Sequence, residues 1–191
     1  MIGLPRFFIG GGMAYYGPTA ERDKKVVKFL AHNMFNLFGN SIEIVTGGTA
    51  GIPEEFALEW NSIGGKHVLC VVSSEYEEEY LSRNLPFKHI IVGKSQEARR
   101  IAVTKLENIK CAIFIQGGKF STHEMILFNQ NNVPIVPFVG SGGAAGGTQP
   151  YNGANYEPEE RFKKGLIAST DPNEDPCEIA KSIVFNNIKI N

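Results

Sequence analysis

Short apolar runs alternate along the chain with longer stretches whose hydrophobic residues recur every three or four positions. The first kind of segment reads as a buried strand, the second as an amphipathic helix. Residues 6–10 form the first run, and after the Gly10-Gly11-Gly12 turn a helical pattern starts at Thr19 or Ala20 and continues to Phe38. Further strands are predicted over 42–46, 66–72, 89–92, 111–115 and 133–139, with helices over 54–63, 96–106 and 121–130 between them. The acidic run from Glu75 to Glu79, broken by Tyr76, reads as a solvated helix start. Strands that are apolar almost throughout belong to a parallel sheet covered on both faces. The expected architecture is a single α/β domain over residues 1–191, Rossmann-like and doubly wound, with a mainly parallel sheet and helices on both faces.

Beyond residue 139 the composition changes. The segment 140–148 holds five glycines, and glycine loses the most backbone freedom on ordering, so a loop is expected: either a flexible connector or a lid over the strand ends. Glu157-Pro158-Glu159-Glu160 reads as a helix start, and a last helix is expected over 175–185, with Pro176 suited to its first turn.

Two glycine turns occupy matching places in this pattern. Thr46-Gly47-Gly48-Thr49-Ala50-Gly51-Ile52-Pro53 follows one apolar run, and Gln116-Gly117-Gly118-Lys119-Phe120-Ser121-Thr122-His123-Glu124 follows another. Each is a strand, a phosphate-sized loop and a helix start. Glycines let backbone N–H groups approach a ligand, and the helix N-terminus behind them favours negative charge. The pair points to a nucleotide or sugar-phosphate as ligand.

Charge narrows the class of partner. The formal net charge is −1 and the pI about 6.4, which leaves no basic footprint for nucleic acid or an anionic membrane. No apolar run approaches the roughly 20 residues of a membrane span, and the N-terminus lacks the layout of a signal peptide, so a cytoplasmic location is expected. Cys70, Cys111 and Cys177 have no metal-ligand spacing and read as buried, reduced thiols.

The motifs themselves resemble a known family. Gly47-Gly48-Thr49-Ala50-Gly51-Ile52-Pro53, then Ala57, then Gly64-Gly65-Lys66-His67-Val68, is similar to the first half of the LOG-type proteins, a group often labelled lysine decarboxylases, within the SLOG set of Rossmann-like folds. Their second signature reads Pro-Gly-Gly-x-Gly-Thr-x-x-Glu. Here Gln116 replaces the proline, Gly117 and Gly118 are kept, Phe120 replaces the third glycine, Ser121 the threonine, and Glu124 stands at the glutamate. Arg99-Arg100 falls, to within about one residue, where the family carries an Arg-Lys pair. The resemblance spans residues 7–138.

The resemblance implies cleavage of the base–ribose bond of a nucleoside 5′-monophosphate by a homodimer that needs neither a metal nor a cofactor. It assigns Glu124, Arg99 and Arg100 to catalysis, and Gly11, Gly12, Gly47, Gly48, Gly117, Gly118, Lys119, Ser121 and Thr122 to ligand and phosphate binding. The residue types suit that chemistry: a carboxylate beside C1′ stabilises the positive charge that builds on the ribose, and an arginine holds phosphate or carboxylate in bidentate fashion. Decarboxylation has no support, because no pyridoxal-phosphate lysine environment is evident. Alternatives stay open. The chain can be a non-catalytic protein that binds a nucleotide-derived ligand or a pterin cofactor. Glu124 can serve as a first-turn helix acid, one of the two arginines as a solvated charge, His123 as a general acid or a packed residue, one of Glu54 and Glu55 as a ribose contact, and Tyr15 and Tyr16 as base-stacking or packing groups.

Overall fold

The computed structural model describes residues 3–188. Among these, one sheet holds β1 (Arg6–Gly11), β2 (Glu43–Thr46), β3 (Val68–Val72), β4 (Lys88–Ile91), β5 (Ile109–Ile115) and β6 (Ile135–Phe138). All neighbours are parallel, in the order β4-β3-β2-β1-β5-β6. The helices are α1 (Ala20–Phe38), α2 (Ile52–Ser62), α3 (Glu77–Ser82), α4 (Gln96–Thr104), α5 (Lys119–Gln130) and α6 (Pro176–Asn187).

Strand periodicity sorts the core into two layers. Phe7, Ile9, Ile44, Cys70 and Ile113 face α1, α2 and α6, where they meet Leu30, Trp60 and Ile183. Phe8, Val45, Leu69, Val71 and Phe114 point the other way, onto Val103 of α4 and Met125 and Phe128 of α5. Successive strand residues alternate in direction, so a run that is apolar at every position must be covered twice. On α1 the buried stripe is Val26, Val27, Leu30, Ala31 and Met34, the spacing of a helix with one apolar face. Each such large side chain removed from water contributes about 1.5–3 kcal/mol.

The order of strands fixes the position of the site. From β1 the chain builds outward through β2 and β3 to β4, then returns so that β5 lies on the opposite side of β1. The direction of winding reverses between β1 and β5. Beyond the carboxyl ends of those two strands the connections diverge, which leaves a crevice.

Element ends move where side chains or turns intervene. β3 begins at Val68 rather than residue 66, because the Lys66 amide donates to Asn40 Oδ1 at 2.8 Å. The segment expected to open as a helix at Glu157 contains only short 3-10 turns, Glu160–Lys163 and Leu166–Ala168, before α6. The glycine-rich stretch is neither a loose connector nor a cover. Gly140, Ser141, Gly143, Ala144 and Ala145 are buried, and Ala144 and Ala145 donate backbone hydrogen bonds to Gly117 O and Gln116 O at 2.8 and 3.0 Å. It buttresses the second glycine turn from behind.

Candidate functional site

A cleft of about 680 Å³ opens at the carboxyl ends of β1, β2 and β5. Its floor is Gly10-Gly11-Gly12. One wall is Gly47, Thr49 and Pro53 at the entry to α2; the other is Gly118, Phe120, Ser121 and Glu124 at the start of α5. Gln96, Arg99 and Arg100 of α4 cross above, joined by Glu75 and Tyr76.

The buried centre of the cleft is an ion pair. Arg99 Nη2 donates to Glu124 Oε1 at 2.7 Å, with both side chains more than nine-tenths covered. Arg99 Nε donates to Gln96 Oε1 at 2.8 Å, and Nη1 has no partner. That nitrogen packs over Gly47, where a Cβ would come within 2.4 Å of it. Helix α4 is held for this purpose at its start: Ser95 caps it by accepting from the Ala98 amide at 3.2 Å, and Glu75 accepts the Gln96 amide at 2.6 Å.

Both arginines are buried, against the expectation that one of them is solvated. Arg100 lies beneath an aromatic cover, its guanidinium carbon 4.2 Å from the Phe120 ring centroid and its Nη1 3.4 Å from Glu97. Adjacent helix positions diverge by about 100°, but here one arginine faces the cleft centre and the other is enclosed by α5.

The second turn is locked by a network that the sequence conceals. Gln116 has φ of +53° and is fully buried. Its side-chain amide accepts from the Tyr16 amide at 3.1 Å and donates to Tyr16 O at 3.0 Å and to Asp23 Oδ2 at 2.8 Å. Asp23 also accepts from Thr19 and twice from Arg22, and Arg22 donates to the carbonyls of Gly140, Ser169 and Asp171. Gly117 follows at φ of +95°, a conformation open to glycine and strained for other residues. Tyr16 closes the clamp by donating from its hydroxyl to Gly117 O at 2.9 Å. Burial, and then the charge of Asp23, push the Tyr16 hydroxyl pKa up, so it stays a donor.

The expected site residues therefore divide. Gly11, Gly12, Gly47, Gly118, Ser121, Arg99, Arg100 and Glu124 converge on the cleft. Gly48, Gly117, Lys119 and Thr122 stand outside its lining. Gly48 O is held by Arg83, Gly117 O by Tyr16 and Ala144, and the Thr122 hydroxyl by Gln149 O, while the Lys119 ammonium sits 5.1 Å from the Phe120 ring. The Ser121 amide turns back to Gly118 O at 2.9 Å. Tyr16 lines the cleft, whereas Tyr15 bonds Glu55 and Glu54 pairs with Arg83. His123 stacks on Tyr151 with centroids 4.0 Å apart and is absent from the cleft wall. Sequence reasoning missed Glu75, Tyr76 and Gln96; for Gln96 the available signal was its place one helical turn before the arginines.

Among the described residues, no group of three His, Cys, Asp or Glu side chains is arranged to hold a metal, and no helix is long and apolar enough to cross a membrane. Cys70 and Cys111 are buried, as expected, and Cys177 is half-buried.

No family model matches the chain, and no curated protein does either. Among solved structures, a structural-genomics target named TM1055 superposes with a TM-score of 0.59 at 17% identity, covering 83% of this chain and 88% of that one. The DNA processing protein A (DprA) of Streptococcus pneumoniae aligns at a TM-score of 0.46 and 14% identity, over 69% of this chain and 49% of its own. The likeness to TM1055 is one of fold: this chain shares its Rossmann-like α/β architecture.

Proposed function

We propose that this chain is a nucleotide N-glycosidase of the phosphoribohydrolase kind, cleaving the base–ribose bond of a nucleoside 5′-monophosphate or a related nucleotide. The observation that carries the reading is the Arg99–Glu124 pair, buried in the crevice between two glycine turns. A carboxylate there has one oxygen held by a guanidinium while the residue itself lines the cleft. Such a group stabilises positive charge developing at C1′ and orients a water for attack on it. Water adds to C1′, the C1′–N bond breaks with its electrons leaving on the base, and the base takes up the proton that water gives up. The unpartnered Arg99 Nη1 offers a further donor to the ligand beside Gly47. The fold supports the reading through the position of the crevice, where open α/β sheets bind their ligands.

The test is release of free base from a panel of nucleoside monophosphates, followed by chromatography, in wild type and in Glu124→Ala. Equal release by both proteins removes Glu124 from the chemistry. If no compound turns over while several raise the melting temperature, the chain is a binding protein instead, since a ligand that prefers the native state stabilises it by mass action.

A further inference from the structure

Phe120 stands where the resembled motif has glycine, and its environment gives the substitution a use. The ring lines the cleft and is 49% exposed, an unusual surface for a phenylalanine whose neighbour Ser121 is buried. The Arg100 guanidinium, itself only 7% exposed, lies 4.2 Å from the ring centroid and 3.4 Å from Glu97, and the Lys119 ammonium lies 5.1 Å from the same centroid, so the ring is flanked by cations. Phe120 and Glu124 are four residues apart on α5. That spacing places them on one helix face with about 6 Å of rise between them. In a nucleotide the scissile bond joins C1′ directly to the base, so a group that holds the base must lie within about one ring width of the group that acts at C1′. The Phe120–Glu124 spacing meets that requirement.

The geometry points to Phe120, backed by Arg100, as the platform on which the base of the substrate stacks, and so as a specificity-determining residue of this chain. The inference rests on the N-glycosidase reading above and adds to it the position of the base: over α5, with the ribose toward Glu124 and Arg99. Stacking on an aromatic side chain is tolerant of base identity, because every base has a π-face. Affinity then falls when the base is absent.

Binding, rather than turnover, tests this. Trp60 is the sole native tryptophan and is fully buried, so a Phe120→Trp variant adds a second, cleft-facing fluorophore. Adenosine 5′-monophosphate and cytidine 5′-monophosphate should quench it, and ribose 5-phosphate should bind without quenching. Phe120→Leu, which keeps an apolar cover on Arg100, should weaken adenosine 5′-monophosphate roughly ten- to hundredfold and leave ribose 5-phosphate within about twofold. Equal weakening of both ligands, or nucleotide binding to Phe120→Trp without quenching, overturns the platform while the N-glycosidase reading stands. Failure of every nucleotide to bind the wild type overturns both.

Discussion

Replacing Asp23 with alanine should destabilise the protein by about 3–4 kcal/mol. The carboxylate is fully buried and receives four hydrogen bonds, from Thr19, from Gln116 and two from Arg22, at 2.8 to 3.0 Å. Arg22 is 3% exposed, so without Asp23 its charge is left in a site that water hardly reaches. Removing one member of a buried ion pair typically costs about 3–5 kcal/mol, chiefly through the charge left behind. Three carbonyls, of Gly140, Ser169 and Asp171, still solvate the guanidinium and hold the loss to the lower half of that range. In a chain of 191 residues, about 2–4 °C of melting temperature is lost per kcal/mol, so a fall of about 10 °C is expected. Urea titration should show a lower midpoint with an unchanged slope. Arg22→Ala and the double variant complete a cycle, in which the double loss should fall short of the sum of the single losses by about 1–3 kcal/mol. A loss below about 1 kcal/mol for Asp23→Ala, or additive losses in the cycle, would refute the clamp.

Two other outcomes follow from the same geometry. Gly47→Ala puts a methyl group against Arg99 Nη1, the movable end of a side chain, so the fold should survive within about 1 kcal/mol while the Arg99–Glu124 pair is displaced. Base release should fall at least tenfold with little change in melting temperature, and undiminished turnover would show that the pair tolerates displacement. Burial pushes the Cys111 thiol from its ordinary 9.0 up to about 12, and the Tyr156 hydroxyl from 10.0 to about 12. Between those limits the unfolded chain loses protons that the native state retains, so stability should fall by up to about 1.4 kcal/mol per pH unit for each group above pH 9 and 10, and level off near 12. Urea midpoints measured from pH 8 to 11 check the sign; a midpoint that rises with pH would contradict it.

Much of the scaffold was legible because its signals are local. The apolar runs at 7–9 in β1, 68–72 in β3 and 111–115 in β5 are continuous, and a parallel sheet is the architecture that buries them on both faces. Glu124, Arg99, Gly47 and Gly118, which line the cleft, could be singled out by offset within a motif, whereas Gly48 and Gly117 of the same turns lie outside the lining. What escaped reading depends on contacts between distant segments. The bond from Gln116 to Asp23 joins positions 93 apart, and Arg100 is buried because Phe120, on another helix, covers it. Composition misled at residues 140–148, where glycine content signals looseness but the backbone is hydrogen-bonded to the turn in front of it. At Glu157 the acids and proline of a helix start are present, yet the segment settles into 3-10 turns against the body of the protein.

The placement of β5 beside β1 has a consequence for how the protein is made. Tyr16 and Gln116, whose amides interlock across the cleft, are 100 positions apart in sequence, and the strands that carry their loops pair over a similar separation. A nascent chain that has completed β1 through β4 holds β1 at the margin of an unfinished sheet, one edge of its backbone without the strand that will pair with it. Closing so long a loop must precede the contacts that reward it, so this pairing is expected to slow folding. The two glycine turns thus face each other only once β5 has docked beside β1, and until then β1 presents an open strand edge where the finished molecule has its cleft.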